Sequence, residues 1–409
     1  MSALDWHTAR RVAAQASAAL PVVTARLDEA VGSILAEPLT ALTDLPPFAC
    51  SAMDGFAISG PGPWLVAEAP HLAGHDEIPT LQSGEAIAIA TGAVVPIGAT
   101  AVLRHEVVVV EGALHGSRLF TRDPLTGLPD ESSPAPPPGT DIRGQGEECA
   151  VGDALVSAGT LITPGIVGLA AASGYDGLPI IRPPVVGVFV MGDELLDRGV
   201  PRPGRVRDAL GPLLPPWLGA LGARANPPIR VPDSLEALLA EIDDAQVDIL
   251  VTTGSTAAGP VDHLHAALDR LQARWLVDGV EVRPGHPMLL AELPDGRLLV
   301  GLPGNPLAAV SGLITLAAPL IAAMRGVPDP IRPGVEAILR EDVTSHPHDT
   351  RLVPVSLEPG DVSSLARPHL HAGPAMLRGL AHSDGFAVIE PGGGQRGTSV
   401  AVLPNPTIA

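Results

Sequence analysis

From Val185 to Gly326 short, mostly apolar runs alternate with stretches of helical periodicity. The runs fall at 185–191, 247–252, 280–283 and 298–302, and the stretches between and after them predict helices near 207–221, 233–243, 262–273 and 306–325. Buried strands alternating with helices predict a parallel sheet covered on both faces. Asp248 to Asp262, DILVTTGSTAAGPVD, reads as a central strand, a loop of small residues and a helix start. Open α/β sheets bind ligands at the carboxyl ends of such strands, where small residues let backbone N–H groups reach a phosphate and a helix N-terminus adds partial positive charge. Two further strand-loop segments, Val185–Gly199 (VVGVFVMGDELLDRG) and Leu298–Val310 (LLVGLPGNPLAAV), carry the same signal. Three such loops in one α/β unit predict one site.

The pattern differs on either side. Trp6 to Leu20 predicts a helix, and Asp28–Ile34 a second one that Pro38 ends. Residues 45–58 (LPPFACSAMDGFAI) read as an irregular loop entering a strand, and 62–138 as short alternating strands of a small β domain. Within it, 121–140 has the composition of a solvated loop with no fold of its own. The segment from Asp141 to Ile181 reads as a continuation of the N-terminal region, so the β domain is predicted to be inserted. Residues after Pro328 predict strands and turns. The expected domains are 1–44 with 140–178, an inserted 45–139, an α/β domain 179–328 and a C-terminal β domain 329–409.

Composition narrows the chemistry. The chain has 409 residues, enough for several cores, and aromatics are only 2%, so aliphatic residues must fill them. A net charge of −20 argues against nucleic acid, whose binding needs clustered cations. There is no lysine, so any anion must be met locally by arginine, helix N-termini, backbone amides or a divalent metal. Cys50 and Cys149 are too few for a disulfide framework. No apolar run reaches membrane length and the N-terminus shows no signal-peptide pattern, so a cytoplasmic location is the expectation. Glu194, Asp233 and Asp262 follow strand ends of the α/β unit and together suit Mg²⁺; each alone reads as a cap or turn acid.

In order and spacing, LPPFACSAMDGFAI, TGAVVPIGATAVLRHE, IRGQGEE, GDELLDRG, GRVRDA, TTGSTAAGPVD, VRPGHP and LPGNPLAAV resemble the molybdopterin molybdenumtransferases, the molybdenum insertases of molybdenum-cofactor synthesis. The resemblance covers nearly the whole chain. It implies a multidomain α/β plus β fold: an elongated subunit with a helical/β N-terminal region, an inserted β domain, a parallel-sheet molybdopterin-binding domain and a C-terminal β domain. It also implies a homodimer whose cleft is shared between subunits. The implied reaction joins adenylylated molybdopterin and molybdate with Mg²⁺ and releases AMP, next to the adenylyltransferase of the same pathway. Carried over by motif, Asp54, Glu194, Asp233 and Asp262 are the functional acids, the last three as metal ligands. Thr91, Gly254, Ser255, Arg283, His286, Pro287, Pro303, Gly304, Asn305, Pro306 and Arg351 become substrate contacts.

Departures from the family pattern cluster on the oxyanion side. The segment expected to read basic-Pro-Gly-Lys-Pro is Arg283-Pro284-Gly285-His286-Pro287, which exchanges a permanent ammonium for an imidazole, a group mostly neutral at pH 7. Ala308 replaces a serine, Gly373-Pro374-Ala375 replaces Gly-Ser-Gly, and Leu210, Cys50 and Glu148 replace two asparagines and an aspartate. The glycine loop reads Gly254-Ser255-Thr256-Ala257-Ala258-Gly259, with Pro260 where an acid is common. These losses leave open a carrier or scaffold that binds the pterin without turnover; a nucleotide-processing enzyme sharing only the α/β domain is opposed by the SAMDG and TGA motifs. His263 and His265 are two apart, hence on different helix faces, and His346, His348, His369 and His371 read as scattered surface histidines.

Overall fold

A computed structural model describes residues 2–74, 77–112, 116–130, 135–254, 256, 263–327, 335–360 and 363–406. At its centre Arg224–Ala225, Val185–Met191, Ile249–Thr253 and Leu298–Leu302 lie side by side in parallel, and Leu289–Glu292 and Arg274–Asp278 extend the sheet antiparallel. Ile229–Val231 also pairs with the end of Val185–Met191. The chain leaves Val185–Met191 first to one side, toward 224–231, and then to the other, toward Ile249–Thr253. The order therefore reverses between these two strands, the place where doubly wound sheets open a ligand crevice. The central strands are buried along their length because helices cover both faces.

One face is covered by the helices Leu210–Ala220 and Pro306–Met324, the other by Leu235–Asp244 and His263–Arg270. Pro306–Met324 is an apolar helix of 19 residues, so the expectation that nothing here reaches membrane length is corrected; most of it is buried inside the fold, which makes it a core helix. Its middle, Leu313–Ala317, widens into a π turn. That turn receives the N-terminal helix Trp6–Gln15: Trp6 Nε1 donates to Thr315 Oγ1 at 3.0 Å, and Arg10, 5.0 Å above the Trp6 ring, donates to the Ile314 carbonyl. Burial pushes the Arg10 guanidinium down to about 10. A π turn presents carbonyls that the regular ladder does not use, and here a buried cation takes one.

Two other sheets surround this unit. Thr350–Glu358, Ser364–Pro368, Val335–Leu339, Ser399–Pro404 and Gly385–Ile389 pair in a ring that closes through Thr350–Glu358 with Gly385–Ile389, packed on Ala337, Val353, Val355 and Ile389. Val280–Arg283, expected in the parallel sheet, instead joins this ring beside Thr350–Glu358 and is itself paired by Leu4–Asp5. Toward the N-terminus a sheet of Val108–Glu111, Arg118–Arg122, Trp64–Val66, Glu85–Ile89, Gly55–Ile58 and Ala101–Arg104 packs on Trp64, whose Nε1 donates to the Gly60 carbonyl at 2.9 Å. Arg118–Arg122 folds back through Asp123 onto Pro129–Asp130, so part of the stretch expected to lack structure is a hairpin. Val22–Arg26, Gly177–Ile181 and Ile34–Leu35 form a small sheet. The helix expected at 28–34 is only the turn Leu27–Glu29 followed by that last strand, because Gly32 at φ 81° ends helical geometry.

Candidate active site

The three central strands end level with one another: Val190 is opposite Thr253, and Thr253 is opposite Leu302. Their next residues, Gly192, Gly254 and Pro303-Gly304, therefore meet at the mouth of the crevice. Gly192 has φ 127° and a Cβ there would lie 2.8 Å from a Glu194 carboxylate oxygen. Gly254 has φ 85°, donates its N–H to the Leu302 carbonyl at 2.9 Å, and lies 3.6 Å from where a Cβ on Gly304 would be. The absent side chains leave a cavity of about 580 Å³ bordered by Gly192, Glu194, Arg207, Asp208, Asp233, Gly254, Gly304, Asn305, Pro306 and Ala375.

This first lobe is acidic, and its acids are held from behind. Asp193 N–H donates to Asp233 Oδ2 at 3.0 Å, and Asp233 N–H returns to Asp193 Oδ1 at 3.4 Å. Arg230 donates to the carbonyls of Gly192 and, at 3.1 Å, Leu195, while Arg205 donates to that of Asp193. Val206 N–H donates to the Glu194 carbonyl at 3.0 Å. Asp208 Oδ1 accepts the N–H groups of Leu210 and Gly211, both at 2.9 Å, and so caps the helix Leu210–Ala220. Among the described residues no three His, Cys, Asp or Glu side chains converge as a metal cage. Glu194 and Asp233 border the same cavity with hard oxygen donors, which fits Mg²⁺: it keeps several waters and takes one or two carboxylates plus substrate phosphates.

The second lobe, about 820 Å³, shares Asn305 with the first and is basic. Arg283, His286, Pro287, Pro303, Ala308, His346, Arg351, His369, Gly373 and Pro374 line it. Arg283 and Arg351 are register partners on adjacent parallel strands. Like charges side by side repel, and the buried Asp349 offsets this by accepting from Arg283 Nε and lying 3.4 Å from His346 Nδ1. Arg351 Nη1 donates to the Thr344 carbonyl at 2.5 Å and has its remaining donors to offer. The N-terminus of the helix starting at Pro306 offers less: the Pro374 carbonyl accepts the N–H groups of Leu307 at 2.9 Å and Ala308 at 3.2 Å. Positive charge in this lobe therefore comes from side chains rather than from that helix end.

The structure thus gathers Glu194, Asp233, Gly254, Gly304, Asn305 and Pro306 in one lobe, and Arg283, His286, Pro287, Pro303, Asn305 and Arg351 in the other. Ser255 and Asp262 lie outside the described residues. Asp54 and Thr91 border neither lobe; they sit together on the N-terminal sheet region, where Thr91 N–H donates to Asp54 Oδ1 at 2.7 Å and its hydroxyl does so at 3.1 Å. These bonds, the backbone one foremost, hold the Asp54 carboxyl below the usual carboxylate range. His346 and His369, read from the sequence as scattered, face the basic lobe. Arg207 and Asp208 were also missed, although GRVRDA was in hand as a motif.

A doubly wound domain whose switch-point crevice joins an acidic lobe to a basic one, in a chain of several domains, defines a candidate ligand-binding cleft. Comparison with known proteins makes the family specific. Residues 4–174 match the MoeA N-terminal region (domain I and II), 187–323 a probable molybdopterin binding domain, and 336–405 the MoeA C-terminal region (domain IV). A molybdopterin molybdenumtransferase of Staphylococcus aureus is 30% identical over 347 residues, covering 82% of this chain and 79% of that protein. One from Staphylococcus epidermidis is 31% identical over 344 residues, covering 81% and 78%. The solved molybdopterin biosynthesis MoeA protein of Pyrococcus horikoshii superposes with a TM-score of 0.75 at 25% identity, over 100% of both chains. The chain belongs to the molybdopterin molybdenumtransferase family of molybdenum cofactor biosynthesis.

Proposed function

We propose that this chain inserts molybdate into adenylylated molybdopterin and releases AMP in an Mg²⁺-dependent reaction. The observation that carries this reading is the junction of two unlike lobes at Pro303–Pro306. The backbone of Gly254 and Gly304 would approach the pyrophosphate, and Glu194 and Asp233, joined by Asp262 on the strength of its motif, would hold Mg²⁺, which would supply charge neutralisation at the phosphates. Arg207 adds a cation on the same wall. Across the junction, Arg351, Arg283 and His286 attract the molybdate dianion and hold it against the pterin end of the substrate. Preorganised donors aimed at developing negative charge are the main device such a site has, and the arginine pair is fixed by its strands.

The Asp54–Thr91 pair is assembled and exposed away from the lobes of its own chain, which supports a homodimer in which each cleft is completed by the partner's N-terminal unit. The adenylyltransferase of the same pathway would deliver the substrate, in the cytoplasm. Purified protein with adenylylated molybdopterin, Mg²⁺ and molybdate is expected to form AMP and molybdenum cofactor together. Tight binding of the substrate with no AMP would instead make the chain a carrier. Sedimentation at micromolar concentration tests the shared cleft: a monomer alone removes it.

A further inference from the structure

Both arginines of the basic lobe are held from one short loop. Arg283 and Arg351 are register partners on adjacent parallel strands, and the loop 344–349 leads into the second of these strands. The Thr344 carbonyl accepts from Arg351 Nη1 at 2.5 Å, and the Asp349 carboxylate accepts from Arg283 Nε. The loop is itself pinned. Ser345 Oγ donates to the Asp349 carbonyl at 2.8 Å, Gly392 N–H donates to that of His346 at 3.0 Å, and Val343 and Gly394 exchange backbone hydrogen bonds at 2.8 Å. Gly393, at φ 103°, comes so near that a Cβ there would lie 2.6 Å from the Val343 carbonyl oxygen.

We infer that Asp349 is a positioning residue for the oxyanion: it binds no ligand itself but aims the Arg283 guanidinium into the lobe beside Arg351. The inference rests on the oxyanion reading of that lobe.

Charge and exposure carry the argument. Asp349 is 8% exposed and stays behind the cavity wall, whereas the Arg283 side chain is exposed and lines the cavity. A carboxylate behind an anion site repels the anion, so charge alone would disfavour it there. A guanidinium on a long side chain, by contrast, turns out of the lobe unless something holds it. Among the described residues Asp349 is the one hydrogen-bond partner of the Arg283 side chain, and it takes Nε, the nitrogen nearest the stem. The terminal nitrogens keep their donors for a ligand, in a planar fork that this bond orients. Arg351 is held by one Nη, so the pair presents two oriented sets of donors rather than two mobile charges. His346 Nδ1, 3.4 Å from the same carboxylate oxygen, is the other group that Asp349 meets.

Calorimetric titration of tungstate, as the probe, into the full-length protein tests this with Asp349→Asn and Asp349→Ala. Both remove the charge that repels the anion, but only the asparagine keeps an oxygen to accept from Nε. Asp349→Asn is therefore expected to bind tungstate at least as tightly as the parent, and about five-fold or more tightly than Asp349→Ala, a coupling in the range usual for neighbouring residues. In an Arg283→Ala background the two substitutions should agree within about two-fold, since no guanidinium is left to aim. Should Asp349→Ala fail to fold, Asp349→Leu supplies the acceptor-free side chain. Equal affinities of the two variants where Arg283 is present would reduce Asp349 to a counter-charge, and a difference that survives in the Arg283→Ala background would assign it to His346; either overturns the inference. A parent that binds no tungstate removes the oxyanion reading as well, whereas the expected pattern without AMP release faults the proposed reaction alone.

Discussion

The two lobes of the cleft are built by different means. The acidic lobe is built on three strand-end loops and completed by 206–210, Asp233 and Ala375, and its shape is fixed by contacts such as the reciprocal Asp193–Asp233 bonds and the grip of Arg205 and Arg230 on carbonyls. The basic lobe is assembled from side chains of segments far apart in the sequence, around 283–287, 344–351 and 369–374. Of the departures from the family pattern, His286, Ala308 and Gly373-Pro374 line the second lobe, whereas Leu210 and Ala375 border the first. A lobe built on charge can exchange one cation or donor for another, whereas the close backbone approach in the first lobe depends on the glycines Gly192, Gly254 and Gly304.

The largest effect should come from breaking the acidic lobe. Glu194→Gln combined with Asp233→Asn, or Asp262→Asn alone, is expected to cut Mg²⁺-dependent AMP release by about 100-fold or more while circular dichroism stays unchanged, because each removes a carboxylate proposed to hold Mg²⁺ without changing volume. Chelation of Mg²⁺ should have the same consequence. AMP release at the parental rate would reduce these acids to caps and turns.

A smaller effect is expected in the basic lobe. Arg351→Ala should weaken molybdate about ten-fold, near 1.4 kcal/mol, since Arg283 remains but is already matched by Asp349. His286→Lys should improve molybdate affinity several-fold, because it places a compact ammonium with three donors in the lobe. Equal affinities for parent and variant would remove His286 from oxyanion binding.

The smallest effect concerns Asp54. Its carboxyl is depressed by the Thr91 N–H and hydroxyl, so the charge-dependent part of this latch is present above the ordinary carboxylate range and lost only as pH falls through the lower folded value. Between pH 5 and pH 9 Asp54→Asn should therefore leave the shape of the AMP-release profile unchanged, whatever it does to its height. A change of slope across that window, measured in the two proteins side by side, would contradict this.

Much of the acidic lobe was legible in the sequence. Apolar runs bounded by glycine gave Val185–Met191, Ile249–Thr253 and Leu298–Leu302 nearly to the residue, and loops at their carboxyl ends gave the crevice. The basic lobe was not, beyond the motif residues. Period-two alternation shows that Val280–Arg283 is a strand but not which sheet takes it, and only the pairing with Thr350–Glu358 sets Arg283 beside Arg351 and draws His346 and His369 into the cleft. The same lack of long-range information hid the Pro374 cap on the helix at Pro306 and the hairpin at 118–130.

The division of labour itself is tested by AMP release measured against both substrates in turn, for the parent, Arg351→Ala and Arg207→Ala. The account predicts that Arg351→Ala raises the half-saturating molybdate concentration about ten-fold and leaves that of adenylylated molybdopterin within two-fold, and that Arg207→Ala does the reverse. If each variant shifts both substrates alike, the two lobes do not hold separate ligands.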